Sequence, residues 1–374
     1  MSGVYIHVPF CAKRCTYCDF HFSTTFGSYR EKMLRSLQTE ILQRKQELNS
    51  PLKSIYFGGG TPSILTEGEL SELLNSVYRS FSLDKQTEIT LEVNPENVSE
   101  KNAMSWKKIG VNRLSIGLQS FKNEDLEWMN RGHNSLNNIE SVQIAKNAGF
   151  DNISIDLIYG LPGLKNEEWL SFLEKLPSLG VNHVSAYCLT VENKTKLKSD
   201  IIKGLIKPLP EDKQIEQFKL LCAFLKKHRY EHYEVSSFAL SGSYSKHNRS
   251  YWERKKYIGI GPSAHSFNGN TRRWNVSNNH VYMSRGKGDQ KWYKEETLSK
   301  NETWNEVFLT GLRTKWGVSK KNVLLLGGFL IKEKEILNDL IQKNYLFETE
   351  TAFILSRQGL LFADAISERF FRVS

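Results

Sequence analysis

Three cysteines sit within eight residues, at Cys11, Cys15 and Cys18. A tight loop with gaps of three and then two residues can wrap a cube of iron and sulfide, each thiolate taking one iron. The fourth iron then has no cysteine, and an open metal position is what a small molecule needs in order to bind the metal. A zinc site with His21 as fourth ligand competes with this reading. Structural zinc usually draws two knuckles from separate segments, whereas all the candidates here lie in one run. Three unrelated buried thiols are the remaining alternative, and the spacing of the cluster argues against it. Cys188 and Cys222 stand alone in apolar strand-like and helix-like settings and read as core thiols. Five cysteines, with no signal-peptide pattern at the N-terminus, argue against a disulfide framework and predict a cytoplasmic protein.

The cysteine run must be held by something, and the surrounding pattern says what. Strand-like stretches at Val4–Val8, Ser54–Phe57, Glu88–Val93, Arg113–Gln119, Asn152–Tyr159 and His183–Leu189 alternate with amphipathic helical patterns at Tyr29–Leu48, Thr66–Phe81 and Asn166–Leu176. Such alternation implies parallel strands joined by helical crossovers. Six units predict an α/β fold with a full or partial β/α barrel, a doubly wound sheet being the alternative. The strand faces differ. Ile89, Leu91 and Val93 oppose Thr90 and Glu92; Leu114, Ile116 and Leu118 oppose Ser115, Gly117 and Gln119; Ser154 and Asp156 sit opposite aliphatics. Helices should cover the aliphatic side, so the polar side points inward and predicts a cavity for a polar ligand.

The predicted organisation is a barrel over 1–240 carrying the cysteine loop, an aromatic-rich connecting region over 241–299, and a small, mainly helical accessory domain over 300–374 with a hairpin at Tyr345–Leu355. Apolar residues make up 39% of the 374, enough for a sizeable core. The longest apolar stretch, near Val323 to Ile331, is too short to span a bilayer. A net charge of +10 fits a solvated basic surface, and leaves room for an anionic partner.

Further candidates follow the strands. Gly58-Gly59-Gly60-Thr61 comes directly after the second strand, where glycines let backbone groups approach a ligand closely, and barrel sites are built at that end. Glu92 and Asp156 lie on polar faces, Gln119 ends its strand, and Arg131 could pair with a carboxylate. Tyr5 and Tyr17 flank the cysteines.

Cys-x3-Cys-x2-Cys after the first strand of a β/α barrel resembles the signature of the radical S-adenosylmethionine superfamily. That resemblance implies a [4Fe–4S] cluster whose open iron is chelated by the amino and carboxylate groups of S-adenosylmethionine, the cofactor supplying the radical chemistry. Over the whole chain the sequence is similar to the oxygen-independent coproporphyrinogen III oxidase group and, within it, to its haem-chaperone branch. The segments that carry this are Tyr5-Ile-His-Val-Pro-Phe10, Tyr56-Phe-Gly-Gly-Gly-Thr-Pro-Ser63, Glu92-Val-Asn-Pro-Glu96, Ser115-Ile-Gly-Leu-Gln-Ser-Phe121, Asp156-Leu-Ile-Tyr-Gly-Leu-Pro-Gly163 and Gly259-Ile-Gly-Pro-Ser-Ala-His265. By resemblance, Tyr5, Tyr17, Gly59, Gly60, Thr61, Glu92, Gln119, Arg131 and Asp156 match positions that contact S-adenosylmethionine.

Two features separate the branches. The oxidases carry a fourth cysteine two residues after the third, where this chain has Phe20, and a long N-terminal extension, where this chain has ten residues before Cys11. His247-Asn-Arg-Ser-Tyr251-Trp252 matches the His-Asn-x-x-Tyr-Trp signature of the chaperones. The resemblance therefore implies haem as a further ligand, with His247 or His265 as candidate ligands to its iron, and a haem-acceptor protein as partner. A ligand-dependent homodimer and peripheral membrane contact both fit such a protein. Oxidative decarboxylation of coproporphyrinogen III is the alternative activity. A nucleic-acid-binding radical enzyme is a third reading, and the lack of a basic stripe speaks against it.

Overall fold

The computed structural model describes residues 2–284 and 292–373. Strands β1 (Ser2–Val8), β2 (Leu52–Gly59), β3 (Leu83–Val93), β4 (Arg113–Gln119), β5 (Ile153–Tyr159) and β6 (His183–Cys188) lie side by side in sequence order, each parallel to the next. Helices α1 (Arg30–Gln43), α2 (Glu67–Ser80), α3 (Glu100–Lys108), α4 (Asn123–Trp128), α5 (Ser135–Asn147) and α6 (Asn166–Leu173) fall in the connections. A doubly wound sheet reverses its strand order at a switch point. Here the order never reverses from β1 to β6, so the winding is that of a partial barrel, and the open-sheet alternative falls away.

Local sequence explains the element ends. Thr66 accepts from the Glu69 N–H while Glu69 reaches back to the Thr66 N–H, a capping box that starts α2. The pattern expected to run from Asn166 to Leu176 stops at Leu173, and a separate turn follows at Leu176–Leu179 with Pro177 near its start. The aliphatic faces are buried as expected: Leu91, Leu114, Ile116, Leu118, Ile155 and Leu157 are all inaccessible to solvent.

The stretch 241–299, expected as an aromatic-rich connecting region, carries regular strands that extend the sheet. After β6 the chain adds the antiparallel pair β7 (Glu231–Glu234) and β8 (Ser237–Ala239) at one edge. It then crosses back through helix Lys246–Trp252. Strand β9 (Lys256–Ile260) pairs parallel with β1 on the other edge. The antiparallel β10 (His265–Phe267), β11 (Thr271–Asn275) and β12 (Tyr293–Thr297) continue outward, so twelve of the described strands form one sheet. Short strands carrying Arg, Trp and Lys lack the alternation that marks a strand in sequence.

The C-terminal unit has its own core of Trp304, Phe308, Phe353 and Phe370. Its strands are β13 (Val318–Ser319), β14 (Leu346–Glu348) and β15 (Ala352–Leu355), and β14 pairs with β15 as the expected hairpin. Among the described residues no helix is long and apolar enough to cross a membrane.

Candidate functional site

The loop after β1 carries the three cysteines and is pinned from several sides. The Cys11 N–H donates to the Ser23 carbonyl at 3.1 Å and the Ser23 N–H to Pro9 at 2.9 Å. The Thr16 N–H reaches Met129, and Thr16 in turn accepts from the Leu197 N–H. All three thiols are half-buried and free of disulfides. Burial pushes the Cys11 thiol up to about 12 and the Cys18 thiol up to about 11, so metal must displace protons to bind there. His21 is directed elsewhere: its Nε2 meets Asn279 Oδ1 at 2.8 Å, and its carbonyl accepts from His7 Nε2 at 2.8 Å. Among the described residues no three His, Cys, Asp or Glu groups converge as a single ion requires. A cube offers each thiolate a separate iron, so a donor set of three thiolates on one braced loop fits the cluster.

The glycine run after β2 acts on this loop directly. A Cβ on Gly60 would lie 2.5 Å from the Phe10 carbonyl oxygen, and one on Gly59 would lie 2.4 Å from the His7 ring. The Gly60 N–H donates to Val8 and the Thr61 N–H to Phe10, at 2.9 and 2.6 Å, while Thr61 Oγ1 reaches Cys11 Sγ at 3.4 Å. The Gly59 N–H donates to Glu92 at 3.2 Å. Three consecutive N–H groups are thus spent on protein. The glycines are needed first for the close approach of two chain segments.

Inside the sheet, several otherwise buried strand stretches each leave one residue half-open: Tyr5 in β1, Glu92 in β3, Gln119 in β4 and Asp156 in β5. These four accessible positions lie where the sequence predicts the cavity. Burial pushes the Glu92 carboxyl up to about 7, with the Asp156 charge adding to it; the Tyr56 hydroxyl at 2.7 Å, the Gly59 N–H and Arg113 pull the other way. Asp156 is raised to about 6 by burial, opposed by Arg113, Ser185, Ser115 and Arg131. Burial also raises the Tyr5 and Tyr17 phenols above their usual range. Gln119 adopts a φ of 69°, rare for a residue with a side chain. Its amide nitrogen sits over Gly117, where a Cβ would be 2.9 Å from it and 3.2 Å from Arg131 Nη2.

Arg131 joins the cluster loop to the cavity. Its Nη1 lies 3.6 Å from Cys15 Sγ, and its Nη2 donates to Asn94 Oδ1 at 2.9 Å and to the Gly117 carbonyl at 3.0 Å. The site also uses residues that the sequence reading missed: Tyr56, Asn94, His7 and Arg113. Arg113 is 1% exposed, and its Nε and Nη1 have no hydrogen-bond partner. Tyr56 and Arg113 were detectable in principle, as polar residues on the inward phase of strands already assigned.

The two candidate iron ligands sit in different surroundings. His247 is 1% exposed in helix Lys246–Trp252, under the barrel. Its Nδ1 meets Ser54 Oγ at 2.8 Å and its Nε2 meets Tyr251 Oη at 2.7 Å. The ring stacks on Tyr56 at 4.9 Å, and burial lowers its pKa to about 3. In this arrangement neither nitrogen is free for iron. His265 is exposed on β10 and stacks against Trp274.

Comparison with known proteins adds to this geometry. The profile of the Radical SAM superfamily matches residues 5–176, which cover the cysteine loop, the glycine run, Glu92, Gln119, Arg131 and Asp156. The heme chaperone HemW of Bacillus subtilis is 33% identical over 372 residues, spanning 98% of each chain. This chain belongs to the HemW family of radical SAM proteins. HemW of Lactococcus lactis is 34% identical over 371 residues, covering 99% of this chain and 97% of its own. Coproporphyrinogen III oxidase (HemN) from Escherichia coli, a radical SAM enzyme, superposes with a TM-score of 0.84 at 21% identity, over 99% of this chain and 90% of that one. That likeness confirms the fold: this chain shares the oxidase architecture. Membership of the superfamily implies a [4Fe–4S] cluster and S-adenosylmethionine as ligands.

Proposed function

We propose that this chain is a haem chaperone: it binds haem and passes it to an acceptor protein, on a scaffold that holds a [4Fe–4S] cluster and S-adenosylmethionine. The observation that carries this is an end-to-end match, at 33 and 34% identity, to two proteins named as heme chaperones. Cys11, Cys15 and Cys18 hold the cluster. When bound, it supplies an open iron for the methionine moiety and an electron for the sulfonium. Tyr5, Tyr17, Gly59, Gly60, Thr61, Glu92, Gln119, Arg131 and Asp156 form the S-adenosylmethionine site. Arg131 ties the cluster loop to the ends of β3 and β4, so cluster and cofactor keep one geometry. Glu92 and Asp156 accept hydrogen bonds from the cofactor across a half-open cavity, where they are worth more than in water.

The fold likeness to the oxidase favours a second reading, oxidative decarboxylation of coproporphyrinogen III. Phe20 argues against it: where the oxidases carry a further cysteine, this chain exposes 68% of a phenylalanine. The experiment is anaerobic reconstitution with iron and sulfide, followed by two assays on one sample. Saturable haem binding without porphyrinogen turnover supports the chaperone. Turnover of coproporphyrinogen III in the presence of a reductant and S-adenosylmethionine overturns it.

A further inference from the structure

Haem iron needs an imidazole nitrogen with a free lone pair. The chain has nine histidines, and hydrogen bonding divides them sharply. His7, His133, His183, His232 and His247 engage both ring nitrogens with the protein, and His21 engages Nε2 with Asn279 while its ring stacks on His7. Among the described residues, His228, His265 and His280 make ring contacts and no hydrogen bond. His228 caps the helix before β7, at the end of the sheet away from the cysteine loop. His280 packs on Tyr29, next to α1 on the outer side of the sheet.

His265 is placed differently. Strand β9 is parallel to β1, so its last residue lies at the end of the sheet where the cysteine loop begins. Strand β10 starts from that end, β11 finishes there and β12 starts there again. The register pairs His265 with Trp274, and Trp274 with Lys294, so the three side chains form one row on one face at the barrel mouth. That face continues through Phe267 and Tyr257 to Gly3, where a Cβ would point at Ser54 and His247. It is the inner face, the one that carries Tyr5. Gly259, paired with Tyr5, makes room for this strand: a Cβ there would lie 2.0 Å from the His265 carbonyl oxygen.

We propose that the row His265–Trp274–Lys294 is where haem docks, with His265 as the axial ligand to iron. The proposal rests on the haem-chaperone reading and adds the site. Trp274 lies 6.2 Å from the imidazole at an interplanar angle of 19°, so it braces the ring in a fixed plane. Lys294 is exposed and makes no ion pair among the described residues, which leaves its ammonium for a propionate. Partial burial of the ring, with the charge of the nearby Arg272, lowers the imidazole pKa and so favours the neutral form that binds metal. An exposed ligand at the mouth of a partial barrel also suits a carrier, because an acceptor can reach it there.

The test is haem titration of the reconstituted, cluster-loaded full chain, read by the Soret band and by the low-spin signal of the ferric form. H265A should weaken haem retention about ten-fold or more and lose the imidazole-ligated spectrum, as removal of a metal-site partner does. Added free imidazole should restore that spectrum. H280A should bind as wild type does. Cluster content and S-adenosylmethionine binding of H265A, measured on the same sample, check that the fold is intact. If wild type binds haem and H265A binds equally with an unchanged spectrum, the site assignment is overturned while the chaperone reading stands. If wild type shows no saturable binding, the chaperone reading itself has failed.

Discussion

Replacing Glu92 by glutamine should make the chain more stable at alkaline pH and worse at holding its cofactor. The substituted amide has the same shape as the carboxylate: it can accept from the Gly59 N–H and bond to the Tyr56 hydroxyl, as Glu92 does at 3.2 and 2.7 Å. What disappears is a charge that burial resists. The Glu92 carboxyl is raised from 4.5 to about 7. At about 1.4 kcal/mol per unit, that is a penalty of about 3 kcal/mol on the folded state once the group is ionised, and water in the half-open cavity cuts it to about 1–3. The sign follows from proton binding. The folded chain holds this proton more tightly than the unfolded chain, so stability is highest below the ordinary carboxylate range and falls as pH rises through about 7. Urea unfolding of wild type and E92Q, run side by side at about pH 5 and about pH 8, reads the effect as a midpoint shift. E92Q should be the more stable chain at the higher pH, with most of the gain gone at the lower. Its S-adenosylmethionine affinity should drop about ten-fold or more, the worth of a hydrogen bond to a charged group. An E92Q chain no more stable than wild type at the higher pH, or equally favoured at both, would refute the reasoning.

Two further perturbations probe the same site. Arg113 lowers both Glu92 and Asp156 by its charge, so R113M should raise both and move the acid limb of S-adenosylmethionine binding to higher pH, read by calorimetric titration across pH; an unmoved limb would contradict it. A Cβ on Gly60 meets Phe10 backbone atoms at 2.5 and 2.8 Å, neither of which can swing aside, so G60A should displace the cysteine loop and lower iron bound per chain after reconstitution. Iron content equal to wild type would show that the loop yields.

The barrel was readable in the sequence because parallel strands buried under helices leave a repeated signature. Strand β4 was expected and found at Arg113–Gln119, and β5 and β6 differ by one residue at one end. The four strands from Lys256 to Thr297 were not readable. Strand β11, Thr271-Arg-Arg-Trp-Asn275, shows no alternation because its arginines are held by Glu306 and Glu47 from elsewhere in the chain. The cysteines could be read from spacing alone. The partners of Arg131 could not: Asn94, Gly117 and Cys15 meet only after three crossovers bring separate strand ends together. His247 shows the limit of a motif. Its environment, Ser54 on one nitrogen and Tyr251 on the other, is set by packing that no local pattern reports.

Electron paramagnetic resonance of the reduced, anaerobically reconstituted protein, recorded with and without S-adenosylmethionine, bears most directly on the central claim that Cys11, Cys15 and Cys18 hold a cluster with one open iron. The wild type should give the spectrum of a reduced [4Fe–4S] cluster that changes when S-adenosylmethionine is added, and C15A should give none. A chain that takes up zinc in place of iron, or a cluster whose spectrum ignores the added cofactor, would contradict it.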